Sequence, residues 1–418
     1  MAFNSSVIRA DFPFLDQRDD NGMPPCFLDS AASAQKPRQV LEKIDDLYRN
    51  SYANIHRGLY RQSADLTALY EAVRIAVDDF IAAYGPDSVV FTKNTTEAIN
   101  MIAASWGQTA IAAGDDIVLT MHEHHANIVP WQILAGRQNA EIKVLGLNPD
   151  LTLNLAQLPA LLSAKTKLVA VAHVSNALGI INPVAEIVKI VRKHAPQAKI
   201  LIDGSQAVVH QPVSVRDLDA DFYVFTGHKL YAPVGAGVAV IRPSILANMP
   251  PYQGGGDMID RVSFSGTTFK SGPARLEAGT PDFMAVIGLG EAIAYLQTIG
   301  MDRIAAYETE LRAAADNALA TVPGLTLWGA DAPRIGIFSL SLAHCHPADT
   351  AMILDAQGIA VRNGHHCCQP LMEDLGVTGT VRASGAIYTS MDDIDRLVAG
   401  LQKATVMLTR SGRKAATS

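Results

Sequence analysis

From Ala64 to Tyr84 the apolar residues Leu66, Leu69, Tyr70, Val73, Val77, Phe80, Ile81 and Tyr84 fall at helical intervals, and Gly85-Pro86 ends the run. Short apolar stretches then recur: SVVFT (88–92), DIVLT (116–120), EIKVLGL (141–147), KLVAVAHV (167–174), KILID (199–203), FYVFT (222–226) and GVAVIR (237–242). Helix-like segments lie between most of them, among them Thr95 to Trp106, Ile128 to Asn139 and Val184 to His194. Apolar strands without polar alternation, separated by helices, predict a mostly parallel sheet covered on both faces. The fold class is therefore α/β. After about residue 288 the texture changes. Two long helical patterns (284–299 and 302–321) lead to the shorter strands LTLWG, IGIFSLSL and GIAVRNG, and helical Asp392 to Leu408 closes the pattern. We expect an N-terminal segment (1–27) packing with the small domain, a large domain (28–288), a smaller α+β domain (289–408) and a flexible tail (409–418).

Composition narrows the function classes. Of 418 residues, 49% are hydrophobic and 18% charged, a globular balance. A net charge of -7 offers no basic field for nucleic acid or an anionic membrane. No apolar run approaches the roughly 18 to 20 residues that a spanning helix needs. The opening MAFNSSVIRADFPFLDQ lacks the basic and apolar regions of an export signal. Four cysteines, Cys26, Cys345, Cys367 and Cys368, are too few and too unevenly spread for a disulfide framework. The expected setting is a reducing cytoplasm, with no nucleic-acid or membrane partner.

In an open parallel sheet, ligands sit beyond the carboxyl ends of the strands. Here those ends carry Lys93-Asn94-Thr95-Thr96-Glu97, Met121-His122-Glu123-His124-His125, Ser175-Asn176, Asp203-Gly204-Ser205-Gln206 and Thr226-Gly227-His228-Lys229. Alone, Asp203 reads as a helix cap and Lys229 as a solvated amine. Together they match what pyridoxal phosphate requires, a lysine for the Schiff base and a carboxylate that keeps the ring nitrogen protonated. Thr95-Thr96 opens a helix, where free N–H groups and the dipole favour a phosphate, although a Thr pair there is equally an ordinary N-cap. Thr226 and His228 flank the lysine as further donors to that phosphate.

Two motifs carry competing readings. MHEHHAN is not a zinc-protease helix, because H-E-x-x-H from His122 would need histidine where Ala126 stands. It reads as a histidine-rich surface loop or as an imidazole stacked on the pyridoxal ring. AVRNGHHCCQPLM (360–372) sets His365-His366 against Cys367-Cys368. Four adjacent side chains cannot all face one zinc ion, though His344-Cys345-His346 offers further ligands. A vicinal disulfide would be strained. The third reading is a nucleophile in an electropositive setting. A free thiol of pKa about 8.5 is only a few per cent thiolate at neutral pH, and Arg362, His365 and His366 supply positive charge to the same loop.

TKNTTEAIN, HEHHANIVPW, HVSNALG, LIDGSQAV, FTGHKLYAP and RLEAGTP together resemble the class-V aminotransferase fold of pyridoxal-phosphate enzymes. With NIHRG, GGGDMI, VRNGHHC and VRAS added, the chain resembles the group II (Suf-type) cysteine desulfurases from about Phe27 to Leu401. The resemblance implies a fold type I enzyme that uses pyridoxal 5'-phosphate to convert L-cysteine to L-alanine. The sulfur would pass to Cys367 as a persulfide, for iron–sulfur cluster assembly or other sulfur transfer. It further implies Lys229 as the Schiff-base lysine, Asp203 on the ring nitrogen, Gln206 facing the phenolic oxygen and His124 stacked on the ring. Thr95, Thr96, Thr226 and His228 would hold the phosphate. Asn176 and Arg382 would position the substrate, with Arg362 nearby. His56, Arg57, Gly254 and Thr280 would reach the active site of a second subunit, implying a homodimer. A SufE-like or U-type protein is the implied sulfur acceptor. Cys368 departs from the alanine common in the family, and is either inert or a second acceptor of sulfur from Cys367. DGSQ for the usual D-G-A-Q, a changed turn in KLYAPVGAG, and Asp282 for asparagine bear on rate and acceptor preference. The alternatives are a selenocysteine lyase or other enzyme of this fold, or a non-catalytic sulfur-trafficking scaffold.

Overall fold

The computed structural model describes residues 3–18 and 22–415. Seven strands form the main sheet: β1 (Val89–Thr92), β2 (Asp116–Thr120), β3 (Glu141–Leu145), β4 (Thr166–Ala172), β5 (Lys199–Asp203), β6 (Phe222–Thr226) and β7 (Gly237–Ile241). Their order is β1-β7-β6-β5-β4-β2-β3. Only β7 is reversed, inserted antiparallel between β6 and β1, so the other six strands end at one edge.

The unbroken apolar runs have a simple cause. In β4, Val169 and Val171 enter one core while Leu168 and Ala170 enter the other. In β6, Tyr223 and Phe225 enter the first, Phe222 and Val224 the second. Both faces are dry, so neither can be polar. Helices Arg38–Asn50, Arg61–Ile81, Val184–His194 and Phe283–Ile299 cover the first face. Thr95–Ile102 and Val129–Gln138 cover the second. The helix expected to reach Tyr84 stops at Ile81, because Ala82 takes a left-handed conformation (φ 44°) that caps it.

The two lobes join differently from the sequence expectation. A boundary at 288/289 would cut helix Phe283–Ile299, yet that helix lies whole in the large-lobe core. The turn comes at Gly300 (φ 93°), where the next helix, Met301–Leu319, departs at 74°. No single helix among the described residues is long and apolar enough to cross a membrane. A hairpin, β8 (Ile259–Ser263) and β9 (Gly266–Phe269), precedes this helix pair. The small lobe holds an antiparallel sheet of β10 (Leu325–Trp328), β11 (Ile337–Leu342), β12 (Arg362–Gly364) and β13 (Thr380–Ser384), in the order β10-β11-β13-β12.

The N-terminal segment ties both lobes. Arg9 pairs with Asp393 at 2.8 Å, and Cys26–Phe27 pairs in parallel with Ile359–Ala360 in the small lobe. Phe12, fully buried, packs among Tyr231, Tyr295 and Tyr388 at the large-lobe core. The last helix runs Met391–Ala415, so the expected tail begins within it; 416–418 lie outside the described residues.

Candidate active site

The common edge of the strands opens into a cavity of about 250 Å³ between the lobes. Asp203 closes β5, and its Oδ1 accepts from the Ser205 amide at 2.9 Å. Gly204 must be glycine, since an added Cβ would stand 2.2 Å from the Tyr223 ring. Thr226 closes β6, and Lys229 follows in the turn leading to β7. Helix Thr95–Ile102 starts at the cavity wall, its first turn capped by Asn94 Oδ1 accepting from the Glu97 amide at 2.9 Å. Gly237 lets that cap approach, because a Cβ there would lie 2.5 Å from Asn94 Cα. Thr95 Oγ1 bonds Ser205 Oγ at 2.8 Å, and Gln206 donates to the Ala31 carbonyl at 2.9 Å. Burial lowers the Lys229 amine to about 8, against the opposing pull of Asp203. His228, also in the wall, is lowered to about 4 by burial and then by the Lys229 and Lys36 charges.

His124 is held by the loop after β2. Its Nδ1 accepts from the Ala126 amide at 3.0 Å, which puts the ring proton on Nε2. Burial, then the Lys229 charge, lowers it to about 3, so the imidazole is neutral at ordinary pH. Beneath it, sequence reasoning missed Glu123. This carboxyl accepts from Thr120 Oγ1 (2.5 Å), the Ala172 amide (2.9 Å) and Asn127 Nδ2 (2.6 Å), and so fixes the loop that presents His124. Burial still raises Glu123 to about 8.

Cys367 comes from the small lobe. It is exposed, lines the cavity that holds Lys229, and follows His366 in a left-handed pair (φ 53° and 56°). Each non-glycine residue in that conformation costs roughly 1–2 kcal/mol, so the loop needs anchors. His125 N–H donates to the Cys367 carbonyl at 2.7 Å, and Asn176 Nδ2 to the His366 carbonyl at 2.8 Å. His366 Nε2 meets Thr380 Oγ1 at 2.9 Å; the ring is buried, and burial lowers it to about 3. His366 is thus an uncharged prop and lends no cationic field to Cys367. Among the described residues no cluster of metal-ligating side chains forms, and all four cysteines are free.

Arg382 and Arg362 share Asp29, which sequence reasoning also missed. Arg362 Nη2 meets Asp29 Oδ2 at 2.9 Å and Arg382 Nη2 meets Oδ1 at 3.3 Å. Arg382 also donates through Nη1 to the Asn176 carbonyl at 2.9 Å, while its buried Nε has no partner among the described residues. Both arginines also line the cavity, and a guanidinium has the planar geometry to fork onto a carboxylate.

The remaining expected residues lie apart. His56, Arg57, Gly254 and Thr280 are exposed and do not line the Lys229 cavity. They form their own patch: Arg57 and His56 face Asp257 at 3.2 and 3.9 Å, and the Gly279 amide donates to the Gly256 carbonyl at 3.0 Å. Their exposure here gives no support to a role within one copy's own cavity.

The cavity fits pyridoxal phosphate on features of the protein itself. Thr226 Oγ1 is buried with no partner among the described residues, beside a helix N-terminus suited to an anion. A buried carboxylate and a lysine amine of lowered pKa stand in the same wall.

The aminotransferase class-V family model matches residues 26–397. A cysteine desulfurase of Escherichia coli O127:H6 (strain E2348/69 / EPEC) is 49% identical over 404 residues, 96% of this chain and 98% of its own. One from Enterobacter sp. (strain 638) is 50% identical over the same shares. Among solved structures, the Escherichia coli cysteine desulfurase CsdA, in its S-sulfonic acid form, matches with TM-score 0.89 and 36% identity, covering 97% of this chain and 100% of that one. The apo cysteine desulfurase of Thermococcus onnurineus NA1 matches with TM-score 0.90 and 35% identity over 97% and 99%. With its lysine, carboxylate and loop thiol gathered in one cavity, the chain belongs to the class-V aminotransferase family, among the pyridoxal-phosphate-dependent cysteine desulfurases.

Proposed function

We propose that this cavity converts L-cysteine to L-alanine with Cys367 as the sulfur acceptor, Lys229 as the proton carrier and His124 as an acid–base aid. The observation that carries the reading is that Cys367 and Lys229, from different lobes, line one cavity. Asp203, Gln206, Thr95, Thr96, Thr226 and His228 would hold pyridoxal 5'-phosphate, with Asp203 at its ring nitrogen. When bound, that group supplies the electron sink that makes the substrate Cα–H acidic. The Lys229 amine, with its lowered pKa, can take a proton and return it near neutral pH. Arg382 would fork onto the substrate carboxylate, with Arg362 and Asn176 beside it. Cys367 thiolate attacks the substrate sulfur: an S–S bond forms, the C–S bond breaks, and carbon keeps the electron pair and is protonated. Carbon is reduced as sulfur is oxidised, so no external oxidant enters.

A second copy of the chain is the proposed partner for the outlying patch. Leu59 and Phe264 are fully exposed, beside the 54–58 loop and on the hairpin, and that copy would cover them. Delivery of the persulfide sulfur to a SufE-like or U-type protein would follow. The test is alanine and sulfide release from L-cysteine with a thiol reductant and no pyruvate. Cys367→Ala should lose nearly all of it; an undiminished rate would place the nucleophile elsewhere.

A further inference from the structure

The thiol next to Cys367 has a different setting. Cys368 is fully buried, and its Sγ lies 3.0 Å from Asn176 Oδ1. Asn176 turns its Nδ2 the other way, onto the His366 carbonyl at 2.8 Å. The amide orientation follows, since a thiol donates to oxygen and a carbonyl accepts from nitrogen. We propose that Cys368 is a positioning residue whose thiol, with the Asn176 amide, forms a latch that fixes the Cys367 loop over the cavity. This rests on the reading of Cys367 as the sulfur acceptor.

Three observations support the latch. The loop is strained at His366 and Cys367, so it would relax away from this geometry unless tethered. The tethers converge on one stretch: Asn176 holds the His366 carbonyl, His125 N–H holds the Cys367 carbonyl at 2.7 Å, and Cys368 holds Asn176 itself. Arg382 donates to the Asn176 backbone carbonyl, so the latch and the carboxylate clamp share a residue. A second sulfur carrier at 368 is disfavoured, because burial pushes the Cys368 thiol up to about 12 and leaves it protonated, a donor and not a nucleophile.

The test compares the parent holoenzyme with Cys368→Ala and Cys368→Ser, alkylating resting enzyme with iodoacetamide and following the Cys367 peptide by mass spectrometry. Loss of one ordinary hydrogen bond, about 1 kcal/mol, corresponds to about fivefold. C368A should therefore alkylate at Cys367 about fivefold faster, and its kcat for sulfur transfer should fall by about the same factor with KM for L-cysteine little changed. C368S keeps a donor and should stay within about twofold of the parent on both. Equal alkylation of parent and C368A, or C368S behaving like C368A, overturns the latch. So does added sulfur or a 367–368 disulfide on Cys368 of the parent during turnover. If the parent forms no persulfide at all, the desulfurase reading fails, while the alkylation rates still report on the latch.

Discussion

At the residue scale, environment separates chemically similar groups. Cys367 and Cys368 are adjacent, yet one is exposed at the cavity and the other is buried as a protonated donor. Lys229 titrates at about 8 in the fold against its ordinary 10.5. The native apo protein therefore binds fewer protons than the unfolded chain between those values, and its stability rises with pH across that window. The depressed amine costs stability below about 8, and the cost is relieved on the way to 10.5. Lys229→Met removes it, so the apo variant should resist urea better than the apo parent at pH 7, with the gap narrowing between pH 8 and 10. A gap constant over that range would contradict the shift. Arg382→Lys should raise KM for L-cysteine about tenfold, because an ammonium cannot fork onto a carboxylate; initial-rate kinetics check this. Chemistry standing at strand ends was legible in sequence: Asp203, Lys229, Thr226 and His124 all come to one cavity. Glu123 and Asp29 were not, because their importance lies in partners distant along the chain, Ala172 for one and Arg362 and Arg382 for the other.

At the element scale, the loop after β2 and the loop after β12 are the parts that aim the chemistry, and each depends on buried polar bonds. Glu123→Ala would leave the Thr120 hydroxyl, the Ala172 amide and the Asn127 amide without their shared acceptor. It should lower the unfolding free energy by about 2–4 kcal/mol and loosen His124; denaturant unfolding beside activity checks both, and unchanged stability would contradict the anchoring role. The large sheet was readable because two dry faces force unbroken apolar runs. β13 was not read as a strand, since TVRAS looks polar; its burial is made possible by Arg382 pairing with Asp29 and by Thr380 bonding His366. The hairpin of β8 and β9 escaped for a related reason. Its exposed IDRVS sequence lacks a core face, and a lone hairpin is marginal in water until something covers it.

At the scale of the whole molecule, two lobes must meet for the site to exist. The large lobe brings the amine and carboxylate, the small lobe the thiol and both arginines, and the N-terminal segment braces them through Arg9–Asp393 and the buried Phe12. A second copy of the chain is our proposed partner for the patch of His56, Arg57, Gly254 and Thr280. Leu59→Glu combined with Phe264→Glu should shift a dimer toward monomer in sedimentation velocity and lower activity with it; full activity as a monomer would remove the patch from the account. The central claim is that a small-lobe thiol takes sulfur from an amino acid activated at Lys229. Mass spectrometry of the purified holoenzyme after L-cysteine is added reads it directly. One extra sulfur is expected on the peptide that holds Cys367, located on Cys367 and absent in Lys229→Ala. The same gain in Lys229→Ala, or none in the active parent, would contradict it.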